Sequence, residues 1–501
     1  MILHGRTNLV WRARALALAL ALATTGWATA PTSHATEDTS CPSAGHRSPI
    51  VEAQIRWLLE RTPYADACFD ELVAGEDGPE GLWYRGLRPD SWTWQGVPHE
   101  TIDLTLARIL WRDARADAAV PAGSNRADTF GDIATSPDRA GAWQSEWLRA
   151  ARAAERRARW SPDSLEMAGY LRAAALYNIA SYPHLIGDEI AREAYERAHA
   201  AYRKAGEHFP VPLRVLEIPV EDGSGTVLTY LHMPESEGEP VPVALVTGGV
   251  DVTMIENQRI AELLNARGIA AAVFDAPGIG MSEQWPIDAD QTWVYRQVIH
   301  HLADHADELG LDASRIVALS TSMGGNPVTR LAFDANPAEP IMAVANVCGA
   351  TGSVFAMPLP VIAFGFPQMT LEATASSLGL PHTTLEVGNP ASYSVFRERL
   401  LPFSLYEQGY LSKWFAEDED GFAGPLDEFP SQPVLTGVPI LSLNTTSDPI
   451  GSVPDMQLIE AATTHGETRL YPEYEGHCAP RPQSIPYAAW WLSEQIASGG
   501  D

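Results

Sequence analysis

Ser322 stands where a nucleophile would need to stand. The apolar run Ile316-Val317-Ala318-Leu319 leads into Ser320-Thr321-Ser322-Met323-Gly324-Gly325, and a helical pattern follows. A serine on a sharp strand-to-helix turn holds its Oγ out from the backbone and faces the free N–H groups of the helix start. The pattern reads S-x-S-x-G, because Ser320 takes the place of the usual first glycine; that position asks only for a small side chain. An ordinary turn serine is the competing reading, and the strand before it and the paired glycines after it weigh against that.

A serine nucleophile needs a base and an orienting acid, which on such a fold follow in the order serine, acid, histidine. Asp448, in Thr446-Ser447-Asp448-Pro449, comes just after a strand-like run, and His477, in Glu475-Gly476-His477-Cys478, just before the last helix. Asp455 is a rival acid. His477 would take the serine proton and Asp448 would fix the imidazole tautomer. The oxyanion calls for two N–H donors: Met323, after the serine, and Val250, in Gly248-Gly249-Val250 after another strand. Asp251 and Glu256 follow; bonding to the loop backbone competes there with orienting a substrate.

The positioning elements change character at Pro210. Before it, Pro49 to about Phe209 has helical spacing, with an N-cap at Ser161 ahead of Pro162 and an apolar stripe at Ile190, Ala194, Ala198, Ala201 and Ala205. Arg149, Arg152, Arg156, Arg157 and Arg159 share one helix, most simply as a solvated face. After Pro210, Arg214–Val220 and Thr226–His232 read as a hairpin. Strands 243–247, 270–274, 316–319, 341–347, 440–444 and 468–471 then alternate with helices 257–267, 293–309, 455–465 and 487–497. That alternation predicts an α/β fold with a doubly wound, mostly parallel sheet. The expected organisation is a signal peptide over 1–35, a helical cap domain over 36–209, a core in two parts over 210–348 and 437–501, and a cap insertion over 349–436 after the sixth strand. The Trp-rich stretch 75–97, read as an ordered loop, and the insertion are expected to line the entrance, with Trp83, Trp92 and Phe366 as substrate-binding candidates.

The chain has 501 residues, more than one hydrophobic core serves, and is 45% apolar and 20% charged. Its net charge of −30 repels nucleic acid and anionic lipid. Arg6, Arg12 and Arg14, the Ala/Leu run 15–23 and the exit Ser33-His34-Ala35 have the order of an export signal cleaved after Ala35. The expected location is therefore periplasmic or secreted, without a stable membrane anchor. An oxidising compartment would permit a bridge between Cys41 and Cys68, with free thiols as the alternative, while the pairing of Cys348 and Cys478 stays open.

No cofactor or metal is expected. His301 and His305 share a helix face, but no third ligand is placed by the sequence. Gly278-Ile279-Gly280 lacks the third glycine and the helix of a dinucleotide loop.

Residues 163–498 resemble the FrsA-like esterases, α/β-hydrolases with an N-terminal helical cap. The resemblance is carried by Gly248-Gly249-Val250-Asp251, Phe274-Asp275-Ala276-Pro277-Gly278-Ile279-Gly280, Ser322-Met323-Gly324-Gly325-Asn326 and Ser447-Asp448-Pro449, with Tyr170, Tyr177 and Tyr202-Arg203-Lys204-Ala205 in the cap. The family's namesake lacks the serine elbow, which this chain keeps; residues 36–160 match no motif of the family. The resemblance implies a serine hydrolase that cleaves a carboxylic ester through an acyl group on Ser322. The alternative is hydrolysis of a carbon-carbon bond in a β-diketone-like substrate by the same residues. A small ester or ketone is the expected partner, and a homodimer the assembly left open.

Overall fold

The computed structural model describes residues 47–73, 87–117, 142–182, 187–334 and 435–499, a few single positions apart. It also describes stretches between 336 and 425, chiefly 341–352, 374–379, 401–411, 415–417 and 423–425. The expected signal peptide, Cys41, Trp83 and Phe366 lie outside these residues.

Strands β1 (Arg214–Pro219) and β2 (Thr226–His232) form the expected hairpin. β3 (Val241–Thr247), β4 (Ala270–Phe274), β5 (Leu311–Thr321), β6 (Ile341–Val347), two three-residue strands β7 (Phe415–Glu417) and β8 (Ala423–Pro425), β9 (Ile440–Asn444) and β10 (Gly466–Leu470) follow. Eight of them make one sheet in the order β1-β2-β4-β3-β5-β6-β9-β10; β7 and β8 pair separately. From β4 to β10 every neighbour is parallel, and β2 alone runs against the rest, antiparallel to β1 on one side and to β4 on the other.

Central strands read as continuous apolar runs because both faces are covered. Val243 and Leu245 of β3, with Ile316 and Ala318 of β5, pack on the helices Thr292–Asp304 and Gly325–Asp334. Their alternates Ala244, Val246, Val317 and Leu319 pack on Gln258–Asn265 and Arg481–Ser498. That second cluster runs on without a break into the front helices, where Trp143, Trp147, Tyr177 and Tyr202 are fully buried.

The front helices dock through polar groups at helical spacing. On the helix Glu189–Gly206, Tyr195 donates to Asp275 at 2.8 Å, and His199 Nδ1 lies 2.6 Å from the Tyr230 hydroxyl on β2. Tyr202 stacks on Tyr230 with ring centroids 5.3 Å apart. Burial away from acids pushes the imidazoles of His199 and His232 down to about 3, so both are neutral packing groups.

Some boundaries differ from expectation. Pro162 is itself the cap of Asp163–Ser181. The last helix begins at Arg481 and carries Pro486 inside it; the buried Ile485, Ala488, Ala489 and Leu492 face outweighs one lost hydrogen bond. Residues 89–94, expected as loop, are a short helix opened by Pro89 and Asp90. Among the described residues no helix is long and apolar enough to cross a membrane.

Candidate active site

Strand order reverses at β3, which has β4 on one side and β5 on the other, and the crevice at such a reversal is where open α/β sheets bind ligands. Thr247 and Ser320 are paired across β3 and β5, so the loops that leave the two strands start side by side. One is Gly248-Gly249-Val250 and the other bears Ser322. Ser322 has φ 54°, a left-handed backbone that side chains other than glycine rarely adopt, and is 6% exposed. The turn closes only because its neighbours are small. A Cβ on Gly324 would lie 2.5 Å from the Gly248 carbonyl oxygen, and one on Gly325 2.2 Å from Asn346 Oδ1. Ser320 fits the first-glycine position because its hydroxyl lies 2.8 Å from Thr247 Oγ1, which in turn lies 2.8 Å from the Tyr295 hydroxyl.

Ser322 Oγ lies 2.7 Å from His477 Nε2, and His477 Nδ1 lies 2.8 and 3.0 Å from the two oxygens of Asp448. The Asp448 side chain is fully buried, whereas that of His477 keeps 19% of its exposure. Burial pushes the Asp448 carboxyl up, but the imidazole and the N–H groups of Ile450 and Gly451 outweigh it and hold the carboxyl below its ordinary value. It is therefore a carboxylate beside a ring nitrogen, the arrangement that fixes Nδ1 as the protonated one. Asp455, the rival acid, instead receives the Tyr406 hydroxyl from the insertion. Neither the Met323 nor the Val250 N–H is taken up by another group among the described residues.

The acids after Val250 tie the loop to the helical layer. Asp251 pairs with Arg88 and accepts from the Tyr182 hydroxyl at 2.9 Å. Burial raises its carboxyl, and Arg88 and Tyr182 outweigh burial, leaving it below its ordinary value. Glu256 closes a capping box with Thr253 and accepts from Asn178 at 3.2 Å and Gln95 at 3.3 Å. A cavity lined by Arg88, Trp92, Gln95, Asn178, Tyr182 and Glu256 lies where these groups meet. Trp92 is 6% exposed and packs edge-on against Trp143 and Trp147, at 6.0 and 5.3 Å between centroids. It packs in the core and its edge lines this cavity; Trp83 and Phe366 lie outside the described residues.

Sequence reasoning did not single out Arg88 or Tyr182. It also left open the Cys348–Cys478 disulfide, with Cα atoms 5.2 Å apart, which ties the end of β6 to the residue after His477. Cys68 is buried and unbridged among the described residues. The described parts of the insertion dock beside the elbow: Phe403 accepts from Asn326 Nδ2 at 2.8 Å, and Leu405 donates to Thr351 at 2.9 Å. His301 and His305 stack at 4.3 Å.

This sheet order, with a serine turn at the strand reversal, defines an α/β-hydrolase. A family model described as esterase FrsA-like matches residues 63–417, and the chain belongs to that family. The match begins well before residue 163, so the front helices from His99 to Gly206 are family structure also where no motif was legible. Esterase FrsA of Salmonella typhi is 33% identical over 335 residues, 66% of this chain and 74% of that protein. Its counterpart from Salmonella newport (strain SL254) has the same identity and coverage. Among solved structures, AbyA5 aligns with a TM-score of 0.53 at 20% identity, covering 73% of this chain and 91% of that one. The 2,6-dihydroxy-pseudo-oxynicotine hydrolase aligns at 0.53 and 19%, covering 71% and 89%. These two likenesses bear on the fold. Family and fold together make the chain a hydrolase.

Proposed function

We propose that the chain is an exported serine hydrolase that cleaves a carboxylic ester through an acyl-enzyme on Ser322. The observation that carries this reading is the unbroken path from Ser322 Oγ to His477 Nε2 at 2.7 Å and from Nδ1 to Asp448 at 2.8 Å. As Oγ attacks the ester carbonyl carbon, Nε2 takes the hydroxyl proton, and the carbonyl electron pair moves onto oxygen. The N–H groups of Met323 and Val250, which no other group among the described residues takes up, would hold that oxyanion. On collapse the bond to the leaving oxygen breaks and His477 returns the proton to it, releasing the alcohol. Water then repeats the sequence on the acyl-enzyme and leaves the acid.

The order of residues 1–35 and the Cys348–Cys478 bridge both support export, since such bridges persist in oxidising compartments. A neutral fluorophosphonate tests the mechanism: one adduct per chain, mapped by mass spectrometry to Ser322 and lost in Ser322→Ala, is expected. An unlabelled wild type, or a label elsewhere, overturns the assignment. A panel of esters and diketones, with products identified by mass, separates ester cleavage from carbon-carbon cleavage. Recovery of the chain in the cytosol with Met1 intact would overturn export.

A further inference from the structure

Among the described residues three that are not glycine have a left-handed backbone: Ser322 at φ 54°, Cys348 at 50° and Cys478 at 57°. Such a position is unfavourable for a side chain other than glycine and persists where the surroundings impose it. The two cysteines are thus held as unusually as the serine, and they meet beside it. Cys348, fully buried at the end of β6, donates its N–H to Leu443 at 2.7 Å. Two residues on, Ala350 donates to the Ser322 carbonyl at 3.1 Å. Cys478 follows His477, and its N–H donates at 3.2 Å to the same Asp448 oxygen that faces the imidazole. Its sulfur lies 3.5 Å from His477 Nε2, the nitrogen that also faces Ser322 Oγ.

The three side chains therefore offer two sulfurs and one ring nitrogen, all within 4.8 Å of one another. Zinc takes thiolate at about 2.3 Å and imidazole at about 2.0 Å in a tetrahedron, which sets its ligand atoms roughly 3.5 to 4 Å apart. The outer shell also matches, because a zinc-bound imidazole commonly gives its other nitrogen to a carboxylate, and Asp448 already occupies that place. As long as the sulfurs are bonded to each other, the set is closed.

We propose that Cys348, Cys478 and His477 form a redox-gated site for a soft divalent cation of the zinc class, shut by the disulfide, whose occupation withdraws the imidazole from Ser322. Opening takes an external dithiol. Two thiol–disulfide exchanges carry two electrons into the sulfur–sulfur bond and two protons onto the separated sulfurs, and the dithiol leaves as its own disulfide. The cation displaces both thiol protons, takes the Nε2 lone pair and keeps one position for water. Asp448 still bonds His477 and the Cys478 N–H after reduction, so the loss of reactivity follows the metal and not the reduction itself. This inference rests on His477 being the base for Ser322.

The full chain would be reduced with a phosphine, which passes its electron pair to the disulfide and takes oxygen from water. Freed of reductant under argon, it would then be titrated with cobalt(II) alone. A thiolate-to-cobalt charge-transfer band that saturates at one ion per chain is expected in reduced protein only, and zinc should bleach it. With zinc bound, fluorophosphonate labelling of Ser322 should slow by about 100-fold, the lower scale of losing a general base, and a chelator should restore it. Cys348→Ser should abolish the band; reoxidising the same wild-type sample should erase it too, a control that needs no variant to fold. A missing band in reduced protein, an equal band in oxidised protein, or a saturated site with unchanged labelling each overturns the proposal. The band is read without substrate, so its absence leaves the hydrolase reading standing. Absent labelling of the oxidised, metal-free chain would overturn that reading and the gating of Ser322 with it, whatever the band shows.

Discussion

Gly249 lies directly against Ser322: a Cβ on the glycine would sit 2.6 Å from the serine Cβ and 2.7 Å from its Oγ. The in-register pairing of Thr247 with Ser320 forces this approach. Gly249→Ala should push Oγ away from His477 while the sheet beneath survives. A displacement of about 1 Å costs on the order of 100-fold in rate, so labelling of Ser322 should slow by that factor with the circular dichroism spectrum unchanged. Wild-type labelling in the variant would mean that the loop gives way, and that the glycine is there for another reason.

That contact illustrates which parts of the molecule were legible in the sequence. The alternation of Val243 and Leu245 with Ala244 and Val246 already encodes two covered faces, and the order Ser322, Asp448, His477 follows from where a doubly wound sheet puts its loops. Partners that share no period are illegible. Arg88 reaches Asp251 across 163 residues, and its segment reads only as Gly, Pro and Trp. The Cys348–Cys478 bridge spans 130 residues, and four cysteines allow three pairings. The last strand was displaced for another reason. β10 is an edge whose residues are half-buried, so its apolar pattern is weak, and it lies at Gly466–Leu470 instead of 468–471.

Asp275 is the hub of the turn after β4. Its carboxyl accepts from the Met254 N–H at 2.6 Å, the Met281 N–H at 2.8 Å and the Tyr195 hydroxyl at 2.8 Å. Burial pushes its carboxyl up to about 6, against those three donors. A raised acid favours the folded state while protonated. Its contribution is complete below its ordinary value of 3.8 and is lost as pH rises through about 6. Urea titrations from about pH 4 to 7 should show a component of the order of 3 kcal/mol falling across that window, which Asp275→Asn removes. Asp275→Ala takes the acceptor from the Met254 and Met281 N–H groups and should cost about 2 kcal/mol or more at every pH.

Arg88 and Asp251 join the helical layer to the loop that carries the Val250 N–H. Breaking a fully buried pair costs about 3 to 5 kcal/mol, because one charge is left without a partner. Arg88 keeps 34% of its side-chain exposure, so Arg88→Met should cost less, about 2 kcal/mol. The Asp251 carboxyl is held below its ordinary value of 3.8, so the pair stabilises above that value and the benefit fades as pH falls through the folded value. The deficit of Arg88→Met should therefore shrink in acid. Asp251→Asn in the same chain should recover part of it at neutral pH, since no charge is then left bare. Additive losses in this double-mutant cycle would show that the two side chains are not coupled.

Ser322, His477 and Asp448 should fail as a unit. Oγ is a poor nucleophile without Nε2 at 2.7 Å, and the imidazole has no other task in the chemical step once the serine is gone. By the scale of known serine triads, Ser322→Ala and His477→Ala should each lower kcat by about 10⁶ and Asp448→Asn by about 10⁴. The milder loss has a structural cause. The Asn side chain keeps one oxygen for the N–H groups of Ile450 and Gly451, both of which now bond Asp448 Oδ1, but its amide faces Nδ1 with a donor and favours the wrong tautomer. The double variant Ser322→Ala with His477→Ala should be barely slower than either single one, its residual rate coming from binding and the Met323 and Val250 N–H groups. Steady-state kinetics on one activated ester, with melting curves to confirm folding, are sufficient to measure all four. Losses that multiply in the double variant would mean that serine and histidine act in separate steps, and the acyl-enzyme route through Ser322 would fall.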